Sequence, residues 1–232
     1  MTSESELPTQ RTAARLAGFL YVLQMATAIF GESYVRGKLL VRGDAVQSAK
    51  NIAASETLFR VGIAADLLTI VAVVTLLWAL WVVLEPVNRR LALLGAFFRL
   101  IENAVIAAGI VNAFSVLRVV AATDYLKAFD APQLAVLARL FIGAEGSGLR
   151  VGFIFCGLGS AVFSYVWLQS RYIPRWFAMW GIFASLLLAI VGLATMLFPS
   201  LGEALGMTYM APMFVYEVGL GIWLMVRGLR AP

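Results

Sequence analysis

Histidine is absent from the 232 residues. That excludes a haem held by histidine, the histidine-rich zinc and di-iron centres of membrane hydroxylases, and every Ser-His-Asp mechanism. Cysteine occurs once, at Cys156, inside an apolar run. With no partner for a disulfide or a thiolate metal site, it reads as a small interior residue. Lysine occurs only at Lys38, Lys50 and Lys127, all outside the apolar segments, which leaves no candidate for a mid-membrane Schiff base. There is no Walker loop, no G-x-G-x-x-G after a strand and no G-x-S-x-G, so nucleotide-driven work is not expected. No metal and no cofactor is expected either, and no residue is assigned a catalytic role.

Charge is scarce too. Only 13% of residues are charged while 62% are apolar, with mean hydropathy +0.89. Soluble domains carry about 25% charged and about 45–50% apolar residues, so the work of this chain lies in or at the bilayer. A transmembrane helix takes about 20 residues, and six apolar stretches are long enough, at 12–31, 58–84, 91–117, 147–169, 175–198 and 207–227. The expectation is an all-α integral membrane protein: a six-transmembrane-helix bundle with short amphipathic helices in the outer loops. It forms one polytopic domain over 1–232, with 1–11 as a disordered cytoplasmic tail. The first stretch ends in Ala26-Thr27-Ala28 like a signal peptide, but Glu4, Glu6 and five further spans argue against cleavage. The net charge of +5 and pI near 9.7 are spread beside the apolar runs, so nucleic acid is not an expected partner.

Orientation follows from arginine and lysine near the span ends. With a cytoplasmic N-terminus, the short inner segments hold Arg11, Arg15, Arg89, Arg90, Arg171, Arg175, Arg227 and Arg230. The longer outer loops hold Arg36, Lys38, Arg42, Lys50, Arg118, Lys127 and Arg139, diluted by acidic residues. The positive-inside rule weights short loops, which places both termini in the cytoplasm of a cell with this chain in its inner (plasma) membrane. Each inner connection carries a proline beside arginine, in Glu85-Pro86-Val87-Asn88-Arg89-Arg90 and Gln169-Ser170-Arg171-Tyr172-Ile173-Pro174-Arg175. Outside, residues 32–57 and 124–142 mix charges with apolar residues at helical spacing, and are expected as the short amphipathic helices. Trp78, Trp81, Trp167, Trp176, Trp180 and Trp223 lie near the inner ends and read as an interfacial belt.

Against this background, several charges stand inside the spans. A charge at the centre of a helix costs about 2.5–3.5 kcal/mol on the insertion scale, so these residues must face one another, a cavity or water. The candidates for a ligand or proton site are Arg60, Asp66, Arg99, Glu102, Asn103, Glu145, Arg150, Tyr216 and Glu217. Arg99 and Glu102, three apart, can pair on one helix face. Asp66 has no partner at helical spacing in its own span, which leaves Arg99 and Arg150 as its expected partners. A rise of about 1.5 Å per residue puts Asp66, Glu102 and Glu217 all near mid-membrane, where they could converge. A carboxyl without a firm partner there could carry a proton. Interhelical salt bridges that only fix packing are the competing reading.

The motifs then resemble a known family. Ala14-Arg15-Leu16-Ala17-Gly18, Glu56-Thr57-Leu58-Phe59-Arg60, Asp66-Leu67-Leu68, Glu85-Pro86-Val87-Asn88-Arg89-Arg90-Leu91-Ala92-Leu93-Leu94, Phe98-Arg99-Leu100-Ile101-Glu102 and Gly152-Phe153-Ile154-Phe155-Cys156-Gly157-Leu158 resemble, as an ordered set over almost the whole chain, a bacterial membrane family catalogued as domain of unknown function 4386. The resemblance implies a six-span bacterial membrane protein and carries no established activity. The family's polar positions map onto Glu56, Arg60, Asp66, Arg99 and Glu102. A histidine-containing segment before the fourth span is replaced here by Gly143-Ala144-Glu145-Gly146-Ser147-Gly148.

Three functions remain open from the residues. The leading one is binding or transport of a small molecule or lipid through a charged intramembrane pocket between the second, third, fourth and sixth spans, with proton coupling. Against it stands the lack of an inverted repeat. The second is a metal-independent membrane enzyme using acid catalysis on an isoprenoid-like substrate, with Asp66, Glu102 or Glu217 as the acid. The third is a structural or accessory subunit. Expected partners are the lipid bilayer, a small-molecule or lipid ligand, and further copies if the chain is an oligomer.

Overall fold

The computed structural model describes residues 6–121, 126, 128–206 and 208–230, and these are helical with no strand among them. Helix α1 (Glu6–Ile29) runs without interruption into a π-helical stretch, Phe30–Arg36, and a last α turn, Gly37–Leu39. There follow α2 (Ala45–Ala54), α3 (Glu56–Val120), α4 (Ala131–Ser170), α5 (Arg175–Leu197) and α6 (Pro199–Leu205). After a 3-10 turn at Thr208–Met210 comes α7 (Ala211–Val226). Five helical segments are long and apolar enough to cross a membrane: Thr9–Leu39, Glu56–Val120, Ala131–Ser170, Arg175–Leu197 and Thr208–Val226. Their outward faces are apolar as well. Ile190, Leu193, Leu197, Val215 and Val226 are each more than half exposed, a surface suited to lipid rather than water. This is the make-up of a multi-pass membrane protein.

At 1.5 Å per residue, the 65 residues of α3 would extend about 98 Å, three times a hydrocarbon core of about 30 Å. The helix breaks at Asn88, whose backbone is extended (φ −157°, ψ 89°). Pro86 cannot donate to the turn before it, and the Asn88 side chain then accepts a hydrogen bond from the Leu91 amide at 3.1 Å, starting a new helix as an N-cap. The arms 56–87 and 89–120 turn back on each other. Val74, Leu77, Trp78 and Trp81 of the first line one groove with Leu93, Ala96, Phe97 and Leu100 of the second. Asn88→Ala removes the cap and should cost about 1 kcal/mol, seen as a lower unfolding midpoint in detergent titration; an unchanged midpoint would mean the backbone break needs no side-chain cap.

The outer connections differ from expectation. The helical course of α1 continues to Leu39, because no proline or extended residue interrupts it after Thr9. Only Ala45–Ala54 is a separate short helix there. It follows a turn at Gly43, whose φ of +81° a side chain would strain, and it is capped by Asp44, which accepts from the Gln47 amide at 2.8 Å. The helix expected over 124–142 is no separate element. From Ala131 it is the first part of α4, which runs 40 residues to Ser170. Gly143, Gly146 and Gly148 lie inside that helix, since a glycine costs a helix interior only about 1 kcal/mol. Residues 124, 125 and 127 of the expected helix lie outside the described residues. At the other end, α1 starts at Glu6, inside the segment read as a tail.

The chain divides into two compact units. The first comprises Met1–Met25, Val71–Asn103 and Arg150–Pro232. Its core joins Ala14 and Ala17 of α1, Leu76, Leu80 and Leu84 of α3, Val166 and Trp167 of α4, Leu188 of α5, and Leu220 and Leu224 of α7. Small residues let these backbones approach. A Cβ at Gly18 would stand 2.6 Å from the Gly221 carbonyl oxygen, and one at Gly157 2.5 Å from that of Ser185, the close contact that drives helix association where lipid gives no hydrophobic advantage. The second unit comprises Ala26–Ile70 and Ala104–Leu149. Val35, Leu39, Ile52, Phe59, Ile63, Ala113, Val116 and Ala138 form its core, so α2 contributes through the buried Ile52 alone.

Candidate functional site

Each unit holds one buried arginine surrounded by carboxylates. In the first, Arg99 sits on α3 eleven residues after Asn88, which is about 16 Å along the helix, a distance comparable to half a hydrocarbon core. It is 3% exposed. One of its terminal nitrogens, Nη1, lies 3.1 Å from Glu102 Oε2 on the next turn and 3.5 Å from Glu217 Oε1 of α7. The same nitrogen donates to Cys156 Sγ and stands 3.5 Å from Ser160 Oγ, both on α4. From α1, Gln24 Nε2 donates to Glu217 Oε2 at 3.2 Å. Glycine makes room for this arrangement: a Cβ at Gly159 would come within 2.7 Å of Arg99 Cγ. Beside Glu217, the Tyr216 hydroxyl accepts from Ser164 Oγ at 2.9 Å, and its ring meets Phe177 edge-on with centroids 5.6 Å apart.

Two carboxylates thus face a single guanidinium. Glu102 and Glu217 are 6% and 5% exposed, and Glu102 Oε2 and Glu217 Oε1 have no hydrogen-bond donor. Among the described residues, Arg99 is the one cation within ion-pairing distance of either. With both carboxyls ionised, the centre would carry one negative charge in excess.

In the second unit the arginine is Arg36, at the end of the π-helical stretch. Its Nη2 bonds Asp66 Oδ2 at 2.6 Å and also Glu145 Oε1. Nη1 donates to the Gly31 carbonyl at 3.0 Å, and Nε lies 3.5 Å from the half-exposed Glu32. Gly31 is necessary here, because a Cβ would run into Asp66 Oδ1. Nearby, the Thr27 and Thr69 hydroxyls bond at 2.7 Å.

Of the residues read from the sequence, the structure brings together Arg99, Glu102 and Glu217, with Tyr216 next to them. Asn103 is buried in the same unit. Asp66 and Glu145 meet in the second unit instead. The expectation that Asp66 pairs with Arg99 or Arg150, and converges with Glu102 and Glu217, is replaced by its bond to Arg36. The physical reason is the continuation of α1, which carries Arg36 to the interior as part of a helix rather than a loop. Arg150 is exposed and makes no ion pair among the described residues. Arg60 is exposed and bonds Glu56 one turn earlier, with Nη2 to Oε1 at 2.6 Å. Sequence reasoning missed Arg36, Gln24 and Cys156. Glu32 four residues before Arg36 was the available signal for the first; a lone glutamine and a lone thiol in apolar runs give none.

Chemically, the Arg99 centre can hold a proton or a small cation against its excess carboxylate. No group of three or more metal-type ligands occurs among the described residues. Two shallow grooves in the first unit are aromatic and apolar, one lined by Trp176, Phe177, Trp180, Val215, Gly219 and Trp223, the other between the arms of α3. Neither contains a carboxyl.

Compared with known proteins, residues 16–228 match one family model, described as domain of unknown function (DUF4386). Searches of curated proteins and of solved structures found no match.

Proposed function

The chain belongs to the DUF4386 family, a domain of unknown function, and from that premise we propose a multi-pass protein of the bacterial inner membrane that binds a small, positively charged species at its Arg99 centre and passes it across the bilayer. Counting the two arms of α3 separately gives six crossings. The arginine-rich short connections support cytoplasmic termini. The observation that carries the functional reading is the pair of buried carboxylates on one guanidinium. A buried charge is costly to keep in a membrane, and an unbalanced pair invites a mobile positive species.

The test is flux in reconstituted vesicles loaded with a pH-sensitive dye, driven by a potassium diffusion potential. The expected result is an internal pH change at least tenfold faster with the wild-type chain than in protein-free vesicles, falling to the protein-free rate with Glu217→Gln. Equal rates with and without protein would remove translocation from this reading.

The Arg36 centre also holds more carboxylate than cation, but Asp66 and Glu145 keep 16% and 14% of their side-chain surface, so solvent helps to balance it and a structural role is favoured there. Its carboxylates Asp66 and Glu145 both bond the guanidinium, and the Gly31 carbonyl takes another of its protons. Acid catalysis on an isoprenoid-like substrate requires a carboxyl facing an aromatic cavity, and the two aromatic grooves contain none.

A further inference from the structure

We infer that the Arg99 centre binds one proton, carried by Glu217, so that one carboxylic acid and one carboxylate face the single guanidinium. The inference rests on reading that centre as a binding site and names its occupant.

The first argument is a count of donors. Nη1 of Arg99 bears two hydrogens, yet four acceptor atoms surround it: Cys156 Sγ, Ser160 Oγ, Glu102 Oε2 and Glu217 Oε1. The hydrogen bonds go to the sulfur and the hydroxyl. The two carboxyl oxygens facing the same nitrogen are left with no donor, although both residues are more than nine-tenths buried. Buried acceptors without donors are rare in folded proteins. One added proton supplies the missing donor and cancels the excess charge together.

The second argument is what surrounds the pair. α1 contributes Tyr21 and Gln24, α4 contributes Cys156, Ser160 and Ser164, and α7 contributes Tyr216 beside Glu217. None of these is a cation, so among the described residues the second carboxyl has no counter-charge beyond Arg99. Two carboxyls held close in a dry site share a proton for the same reason that catalytic carboxylate dyads do.

Geometry also favours Glu217 as the carrier. Glu102 is the nearer to Arg99 and is held on the same helix face three residues away. It is the natural carboxylate. Glu217 stands farther off, and its Oε2 accepts from Gln24 whether the group is acid or carboxylate. The proton therefore occupies Oε1.

Infrared spectroscopy of the purified chain in lipid nanodiscs, in light and heavy water, reads this directly. The wild type should show the carbonyl stretch of a protonated, solvent-shielded carboxyl at neutral pH. Either Glu217→Gln or Glu102→Gln should abolish it, because the remaining carboxyl then becomes the sole counter-ion of Arg99. Glu217→Asp should shift the band, while Glu102→Asp leaves it in place. A band that shifts with Glu102→Asp instead would overturn the assignment to Glu217. Absence of the band in the folded wild type would overturn the proton. If, in that case, replacing choline by sodium raises the melting temperature of the wild type and not of Glu217→Gln, a metal cation fills the site and the binding reading survives. If sodium has no effect, the binding reading fails with it.

Discussion

Arg99→Met should cost the chain about 3–5 kcal/mol of stability, the usual consequence of removing one partner from a buried ion pair. The loss arises less from the missing attraction than from what stays behind. Glu102 remains 6% exposed and Glu217 5% exposed, and a carboxylate stranded in a dry interior cannot recover its hydration. The measurement is unfolding in mixed detergent micelles followed by circular dichroism. Adding Glu102→Gln and Glu217→Gln to Arg99→Met should restore most of the stability, because three neutral side chains of similar volume need no counter-charge. Arg99→Lys should fall between, since a point ammonium cannot reach the sulfur, the hydroxyl and the carboxyls that the planar guanidinium contacts. If the triple variant were as unstable as Arg99→Met, shape rather than charge would explain the loss.

Arg36→Met should destabilise the second unit by about 3 kcal/mol, at the lower end of the same range. The lower figure reflects exposure. The side chains of Asp66 and Glu145 retain 16% and 14% of their accessible surface, so partial solvation softens the penalty. Asp66→Asn should be far milder, at about 1 kcal/mol, because Arg36 keeps Glu145 and the Gly31 carbonyl. Hydrogen exchange along 26–70 and 104–149 is the readout. Loss of protection there with Arg36→Met and little change with Asp66→Asn is the expected pattern, and equal effects would mean that Asp66, not the guanidinium, organises the cluster.

Hydropathy was enough to mark apolar stretches that fall within the five long helices, because the free energy of placing 20 residues in lipid depends on composition more than on neighbours. The break in α3 was legible too, since Pro86 and the following polar residues interrupt two long apolar runs. Within the site, Arg99 and Glu102 were readable as a pair because three residues of separation fixes their mutual position on one helix. Glu217 could be named but not placed. Its partner lies on another helix, and a sequence does not reveal how helices are rotated about their axes. Asp66 failed for a related reason. Its partner Arg36 was counted as a loop charge, and the wider winding of Phe30–Arg36 lies outside the 3.6-residue period by which helices are recognised.

That winding has a consequence for how the chain tolerates change in length. Phe30–Arg36 holds seven residues in a register with one residue more per turn-closing hydrogen bond than an α-helix. Deleting one residue there would let the backbone relax into ordinary α-helix, a local gain. It would also change the direction in which Arg36 leaves the helix, because the wider winding turns the chain less per residue than an α-helix does, and the contacts of its guanidinium with Asp66 and Glu145 would have to form anew. Exposed Tyr34 can be exchanged for another side chain at little risk, but the spacing of the seven residues cannot be shortened: in this stretch the number of residues carries information that their identities do not.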